Sequence, residues 1–427
     1  MKIIGIDIGT TGICGVCTDS VSGEIIKSVS LSNESFIKSE NERIQDVSVI
    51  MNTVNLILDS LNASDAAAIG FSGQMHGIVY TDANGNAVSP LYTWQDARAN
   101  AEYKDGKSYA QTLGCFAGYG LATDFYNDDN GLIPENAVYI CTIADYAVMQ
   151  ICGNKKPVCH ITNAASLGCF DIVNNCFTID NPRLPEVTAD FKCCGYYKGV
   201  PVCVALGDNQ ASFIGSVSDA GNALLNVGTG AQISWLSDSP VTAESVETRP
   251  FDGKRFLAAG CSLCGGRAYA MFEKFCREIA NAAGAEVDSF YPVLNKMLEN
   301  KTTSEIKGDC RFCGTRNNPD LRGSYSGISE NNFSPADFAF ATLDGMASEL
   351  FDMYAAADKK ANGLVCSGNG MRKNAVLRRI VAEKFGCEIK IPLYEEEAAC
   401  GAAFAALVAS GVCSGIDEAC TKIRYKD

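Results

Sequence analysis

A pattern that occurs twice limits what this chain can fold into. MKIIGIDIGTTGICG at the start and GNALLNVGTGAQISW at 221–235 both read as an apolar strand, an Asp or Asn, one further residue, a Gly-Thr turn and a second strand. A supersecondary unit repeated at this distance implies two related α/β halves, each opening on the same hairpin and meeting at a cleft. The turn has a chemical use. Glycine lets the backbone approach an anion with no Cβ in the way, successive N–H groups converge on one oxygen, and the threonine hydroxyl adds a neutral donor.

The stretch PVCVALGDNQASFIGSVSDAGNALLNVGTGAQISW, residues 201–235, gathers most of the candidate chemistry. Its first apolar run, 202–206, ends in Gly-Asp and delivers the carboxylate of Asp208; its second, 223–227, delivers Gly228, Thr229 and Gly230. Two Gly-Thr turns suit the phosphate tail of a nucleotide held from both sides, with Asp7 and Asp208 as carboxylates for a magnesium ion or a proton. SGNGMRKN at 367–374 is a glycine-containing turn from strand to helix, where free N–H groups and a flat surface suit an adenosine.

With 427 residues the chain suits two domains of about 200 residues each. A boundary falls at 216–220, giving an N-terminal domain of 1–216 and a C-terminal domain of 217–427. The net charge of -15 argues against a nucleic-acid backbone or an anionic membrane as partner, while leaving room for a nucleotide held by glycine turns and magnesium. The opening MKIIGIDIG reads as a first strand rather than an export signal, and 398–413 is shorter than the ~20 apolar residues that span a bilayer. The 21 cysteines, odd in number and irregular in spacing, fit reduced thiols in a cytoplasmic protein. The CxxC pairs Cys14/Cys17, Cys261/Cys264 and Cys310/Cys313 read as small buried residues, because a zinc site needs four converging ligands and only His76 and His160 are available to assist.

Along the chain, paired strands are expected at 13–18 and 25–31, a helix over 43–61 from its apolar stripe, and a strand at 67–71 ending in the loop SGQMHG. SPLYTWQDARAN is expected to start a helix, 114–131 has no assignable pattern, 135–152 is helical, and HITNAASLGCFDIVNN reads as loop. The second half should carry strands at 223–227, 232–236 and 256–259, then helices at 266–283, 287–300 and 335–360. A strand at 363–367 and helices at 375–385 and 398–412 follow, the last rich in Ala and Gly and so packed closely against a sheet.

Taken in order, IDIGTTG, SGQMHG, TWQDAR, ADYAVMQICG, LGDNQAS, NVGTGAQ, GTRNNPDLRGS, SGNGMRKN and EEEAACGAAFAAL resemble the FGGY-type carbohydrate kinases. The resemblance spans nearly the whole chain. It implies two duplicated ribonuclease-H-like domains of the actin, hexokinase and heat-shock ATPase type around a nucleotide cleft, with ATP and Mg2+ as cofactors. Carried over by motif, Asp208 is the catalytic base and Asp7 organises magnesium, through water, and the attacking geometry. Gly9, Thr10, Thr11, Gly228, Thr229 and Gly230 cradle phosphates, with Gly266 at a nearby helix start, and Gly368, Asn369, Gly370 and Asn374 border the adenosine. Gln74, Met75, His76 and Asn209 face the sugar, with Trp94, Gln95 and Asp96 lining the same pocket and Asn163 and Ser166 as further polyol contacts.

The resemblance implies ATP-dependent phosphorylation of a ketose at its terminal hydroxyl by a monomer or homodimer. The loops GYGLATDFY, TIADYAVMQICG and NAASLGCFD are most similar to members acting on sedoheptulose; a pentulose such as xylulose is the alternative, and a non-transferring ATPase or sugar sensor of the same fold a remoter one. One departure stands out. Many relatives place Lys or Arg where Cys14 stands, so a phosphate-facing cation is missing, with Arg372 or magnesium as the candidate replacement.

Overall fold

The computed structural model describes residues 1–40, 42–357 and 361–426. The chain forms two compact units. The first comprises Met1–Asp219 with the later segments Arg249–Leu257 and Glu396–Arg424; the second comprises Ala220–Thr248, Ala258–Glu395 and the residues from Tyr425 on.

The first unit is built on a mixed sheet of β1 (Lys2–Ile8), β2 (Gly12–Asp19), β3 (Ile25–Ser32), β4 (Ala68–Gly73), β5 (Cys193–Tyr197), β6 (Val200–Cys203) and β7 (Leu206–Gly207). Their order is β5-β6-β4-β1-β2-β3, with β7 beside β4. β1 is antiparallel to β2, placing Asp7 opposite Cys14, and parallel to β4, placing Asp7 beside Ser72. Ile4, Ile6 and Ile8 of β1 are fully buried with Ile69, Phe71, Val54, Ile57 and Leu58 in a core shared with the helices Val47–Ser60 and Ile143–Cys152. The helix Glu397–Ala409 is apolar nearly all round and buried on most of its surface, as an interior helix must be.

The sheet of the second unit carries β8 (Ala223–Val227), β9 (Ala231–Ser237), β10 (Val246–Pro250), β11 (Phe256–Ser262), β12 (Leu364–Ser367) and β13 (Ile389–Lys390), in the order β10-β11-β9-β8-β12-β13, the end of β10 and the start of β11 being counted with the first unit. β8 is antiparallel to β9 and parallel to β12, so Asn226 stands opposite Gln232 and beside Ser367. The duplication thus extends beyond the turn. In the first unit Ser72 Oγ donates to Asp7 Oδ1 at 2.8 Å; in the second, Asn226 Nδ2 donates to Ser367 Oγ at 2.7 Å. Each half has the same opening hairpin, the same parallel neighbour and a serine at the same register. The helices Gly265–Ala282, Pro335–Ala355 and Ala375–Phe385 cover this sheet through Ala268, Leu343, Leu350 and Ile380.

Capping moves several expected boundaries. Asp46 accepts from Ser48 N and Val49 N, so the first helix starts at Val47, and Ile44 belongs to a short strand. Thr142 caps Ile143–Cys152 in the same way, leaving Tyr139–Cys141 as a strand. SPLYTWQDARAN holds only the short strand Leu91–Tyr92 and the 3-10 turn Arg98–Asn100 in place of a helix start, because the Asp96 side chain ties down the loop. Conversely, helices form at Gly120–Asp129 and Ile161–Ser166, where none was expected. The helix expected over 287–300 is confined to Tyr291–Leu298, and that over 335–360 is described as far as Ala355, with residues 358–360 outside the described residues.

Candidate active site

In the first unit two carboxylates come together at the carboxyl ends of β1 and β7, the two strands that flank the end of β4. Asp7 lies at the end of β1, and Asp208 is the first residue of the helix Asp208–Ser216, directly after β7. Burial raises the Asp7 carboxyl above its ordinary value, against the opposing hydrogen bond from Ser72. Asp208 is pushed up to about 7, first by burial and then by the negative charge of Asp7, with Arg249 pulling the other way. A carboxylate held near neutrality is a competent proton acceptor at physiological pH. Gly207 N–H donates to Thr162 Oγ1 at 3.1 Å and anchors the turn that carries Asp208.

The first Gly-Thr turn is joined to the SGQMHG loop by a closed ring of hydrogen bonds. Thr10 Oγ1 donates to Gln74 Oε1 at 3.3 Å, Gln74 Nε2 to Gln45 Oε1 at 2.8 Å, and Gln45 Nε2 to the Thr10 carbonyl at 2.9 Å. Gln74 and Gln45 are buried, whereas Thr11 is exposed. Trp94 Nε1 donates to Thr10 Oγ1 at 3.0 Å, and its ring is 46% exposed, so Trp94 belongs to the site's open surface and not to the core. A Cβ at Gly9 would lie 2.8 Å from the Gly12 carbonyl, which restricts this position to glycine.

His76 adopts a positive φ of 74° and is fixed at both backbone and ring. Its N–H donates to Ser166 Oγ at 3.1 Å; its Nδ1 lies 2.8 Å from the Ser166 carbonyl, and since a carbonyl only accepts, Nδ1 carries the proton. The ring stacks on Tyr119 with centroids 4.4 Å apart. Met75 is buried, and a Cβ at Gly207 would lie 2.9 Å from its sulfur, so the QMHG loop packs directly against the Asp208 turn. Asn209 follows Asp208 in the first helical turn, partly exposed.

Other expected contacts act at one remove. Asp96 is buried: Oδ2 accepts from Arg43 N at 3.0 Å and Oδ1 from Arg98 Nε at 2.8 Å, and the Arg98 guanidinium lies 4.2 Å over the Tyr92 ring. Gln95 beside it is exposed. Asn163 is fully buried, donating to Asp145 Oδ1 and to the Ala205 carbonyl.

In the second unit the counterpart turn docks on a helix start. Gly266 N–H donates to the Gly228 carbonyl and Arg267 N–H to that of Thr229, both at 3.0 Å. A Cβ at Gly266 would lie 2.4 Å from the Gly228 carbonyl, and one at Gly368 2.6 Å from the Val227 carbonyl. Gly228, Thr229, Gly230, Gly266, Gly368 and Gly370 therefore converge on the end of β8, with Asn369 exposed beside them. Asn374 caps the helix Ala375–Phe385 by accepting from Leu377 N at 2.9 Å.

The cation question has a structural answer. Cys14 is a neutral thiol, pushed up to about 12 by burial and then by Glu396 and Asp7. Arg372 is anchored to the carbonyl oxygens of Pro392 and Tyr394. Arg249, which no sequence motif marks, is the buried cation acting on Asp208. Gln210 Nε2 donates to the Pro250 carbonyl at 3.0 Å and Phe213 meets Phe251 edge to face, so the segment 249–251 is pinned to the Asp208 helix.

The residues suit magnesium and nucleotide phosphates. Two carboxylates whose charge is disfavoured by burial and by each other favour a cation, and among the described residues no group of three or more His, Cys, Asp or Glu side chains forms a dedicated metal cage. Magnesium is commonly bound in that way, through one or two carboxylates, water and phosphate oxygens. Paired carboxylates with glycine-rich anion turns on a duplicated sheet are the equipment of phosphoryl transfer.

The chain belongs to the FGGY family of carbohydrate kinases: the model of that family's N-terminal domain matches residues 2–180 and that of its C-terminal domain residues 223–410. It is accordingly a phosphotransferase. The chain is 27% identical to sedoheptulokinase of Mus musculus, over 90% of this chain and 92% of that protein. It is 24% identical to a xylulose kinase of Staphylococcus epidermidis, over 96% and 88%. Its fold matches the ligand-bound xylulose kinase of Lactobacillus acidophilus with a TM-score of 0.85, covering all of this chain and 93% of that one at 20% identity. Among the described residues no helix is long and apolar enough to cross a membrane.

Proposed function

We propose that this kinase transfers the γ-phosphoryl group of ATP to the terminal hydroxyl of a ketose, with sedoheptulose as the foremost substrate and D-xylulose as its rival. The observation that carries the reading is Asp208, a carboxylate tuned to about 7 beside a second carboxylate and packed against the His76 loop. The 27% identity to a sedoheptulokinase across nearly the whole chain supports the seven-carbon sugar.

In this reading Asp208 accepts the proton of the attacking hydroxyl and Asn209 orients the same hydroxyl. Asp7 would hold magnesium, which when bound would supply neutralisation of phosphate charge. Gly9, Thr10 and Thr11 of the first unit, and Gly228, Thr229, Gly230 and Gly266 of the second, present N–H and hydroxyl donors to phosphate oxygens. Gly368, Asn369 and Gly370 border the adenosine, with Asn374 holding the helix behind them. His76, Trp94 and Gln95 contact the sugar; Gln74 acts through Thr10, Met75 supports the Asp208 turn, and Asp96 fixes the loop that presents Trp94. The two domains divide the work, 1–216 taking sugar and base and 217–427 taking adenosine, except that residues 249–257 and 396–424 of the second stretch fold into the first unit. The reading assigns the protein to the cytoplasm, as a monomer or homodimer.

The test is ATP-dependent ADP release over sedoheptulose, D-xylulose, D-ribulose, L-ribulose, L-fuculose and glycerol, with the product identified by mass. The largest kcat/KM should fall on sedoheptulose; preference for a pentulose would move the substrate and keep the class, and no stimulation by any sugar would end the ketose reading. His76→Ala should raise the sugar KM about tenfold, the loss of one good contact, and leave the ATP KM nearly unchanged. An effect confined to ATP would place His76 elsewhere.

Arg249 gives a pH prediction. Because Asp208 must be ionised to accept a proton, kcat/KM should rise with pH and level off above about 7. Arg249→Met removes the group that favours the ionised form, so this acid limb should move to higher pH. At a pH below the limb the variant loses about tenfold for each unit moved, and it recovers at alkaline pH. A limb that stays in place would separate Arg249 from Asp208.

A further inference from the structure

Two thiols meet behind the wall that carries His76. Cys115 Sγ and Cys169 Sγ are 3.8 Å apart, both partly exposed, and both point at the Leu113 carbonyl. They stand on the two loops that support the sugar side of the site. The first loop packs on Trp94, where a Cβ at Gly118 would lie 1.8 Å from the Trp94 carbonyl, and it supplies Tyr119 to the His76 stack. The second supplies Ser166, which holds both the His76 N–H and its ring. Leu121 N–H donates to the Leu167 carbonyl and ties the loops together, while Gly168 and Cys169 take positive φ of 95° and 48°.

We propose that Cys115 and Cys169 are a dithiol oxidised by hydrogen peroxide, and that their disulfide weakens sugar binding by shifting the supports of His76. The Cys115 thiolate attacks one peroxide oxygen, giving a sulfenic acid and, with one proton, water. The Cys169 thiol then attacks the sulfenic sulfur; the S–S bond forms, the hydroxyl leaves as a second water, and two thiols have been oxidised for one peroxide reduced. A disulfide needs about 2.05 Å between sulfurs, so the two sulfurs must approach by roughly 1.8 Å from their present 3.8 Å, which strains the segments that carry them. Displacements of ~1 Å in positioning residues are enough to cost activity.

The pair is also the reactive one. The Cys115–Cys169 hydrogen bond lowers one thiol, Cys115, and raises the other, so the pair favours a thiolate on Cys115. The other close pair, Cys264 and Cys313 at 3.7 Å, is a built-in control: Cys264 is 1% exposed and pushed up to about 11 by burial.

The experiment treats the full chain with graded hydrogen peroxide, alkylates it, and maps its peptides without reduction, alongside ketose and ATP kinetics. Expected are a Cys115–Cys169 linked peptide before any Cys264–Cys313 link, a several-fold rise in sugar KM with ATP KM unchanged, and full reversal by dithiothreitol. Cys115→Ser and Cys169→Ser should each keep the untreated kinetics and lose the peroxide response. Recovery of both cysteines unlinked at a dose that oxidises other cysteines would overturn the proposal, and so would a complete link with unchanged sugar KM. The consequence rests on the proposed role of His76. If the untreated chain phosphorylates no ketose, that role fails, whereas the peptide map still decides the dithiol.

Discussion

Asp208→Asn is expected to lower kcat by about 10²–10⁴, the usual contribution of a positioned general base, without lowering the melting temperature. The two halves of this result have different causes. An amide keeps the shape and the hydrogen bonds of the turn but cannot take the proton of a sugar hydroxyl. The stability half follows from linkage. Asp208 titrates at about 7 in the folded chain against 3.8 ordinarily, so between those values the folded state binds the extra proton. Raising the pH through that window therefore costs the folded state stability, and above it the ionised carboxylate is a net burden. The neutral amide never carries that burden. Above pH 7 the variant should melt at or above the parent's temperature, and below pH 4 the two should converge. Turnover retained in the variant would remove Asp208 from the mechanism; a drop in melting temperature above pH 7 would mean that its charge holds the turn together.

The features legible in the amino-acid sequence are those that local chemistry dictates. The Gly-Thr turns were legible because few residues but glycine fit a turn like that at Gly9 or a helix contact like that at Gly266. The repeated hairpin was legible because its period is that of strands, and the shared serine register at Ser72 and Ser367 adds what pairing alone reveals. Helix starts were misplaced where one side chain decided them, as Asp46 and Thr142 do through hydrogen bonds to N–H groups that an apolar stripe cannot signal. SPLYTWQDARAN was expected to start a helix, whereas the Asp96–Arg98 pair consumes the segment as a tied loop. Arg249 was invisible for another reason. Its partner lies 41 positions away in sequence, from 208 to 249, and long-range electrostatics leaves no periodic trace.

The helix Glu397–Ala409 shows the same limit and gives the largest stability prediction. Composition says that so small and apolar a helix packs closely; it does not say against which sheet. The structure seats it in the first unit, over β1 and β4, against the helix Asp208–Ser216. A Cβ at Gly5 would lie 1.9 Å from the Ala399 carbonyl, one at Gly70 1.9 Å from that of Ala402, and one at Gly401 1.8 Å from that of Ala211. These obstacles are backbone, with no flexible end to move aside, so Gly5→Val should cost about 3 kcal/mol or more, the upper part of the overpacking range. A urea midpoint lowered with an unchanged slope would show it, and an unchanged midpoint would mean that the helix does not sit on β1. The site should feel the same substitution. Ser72 Oγ reaches both Asp7 Oδ1, at 2.8 Å, and the Ala398 carbonyl, at 3.3 Å. Lifting the helix away from β1 therefore pulls on the hydroxyl that orients the proposed magnesium carboxylate. In the fraction of Gly5→Val that stays folded, the concentration of magnesium needed for half-maximal rate should rise while the sugar KM holds.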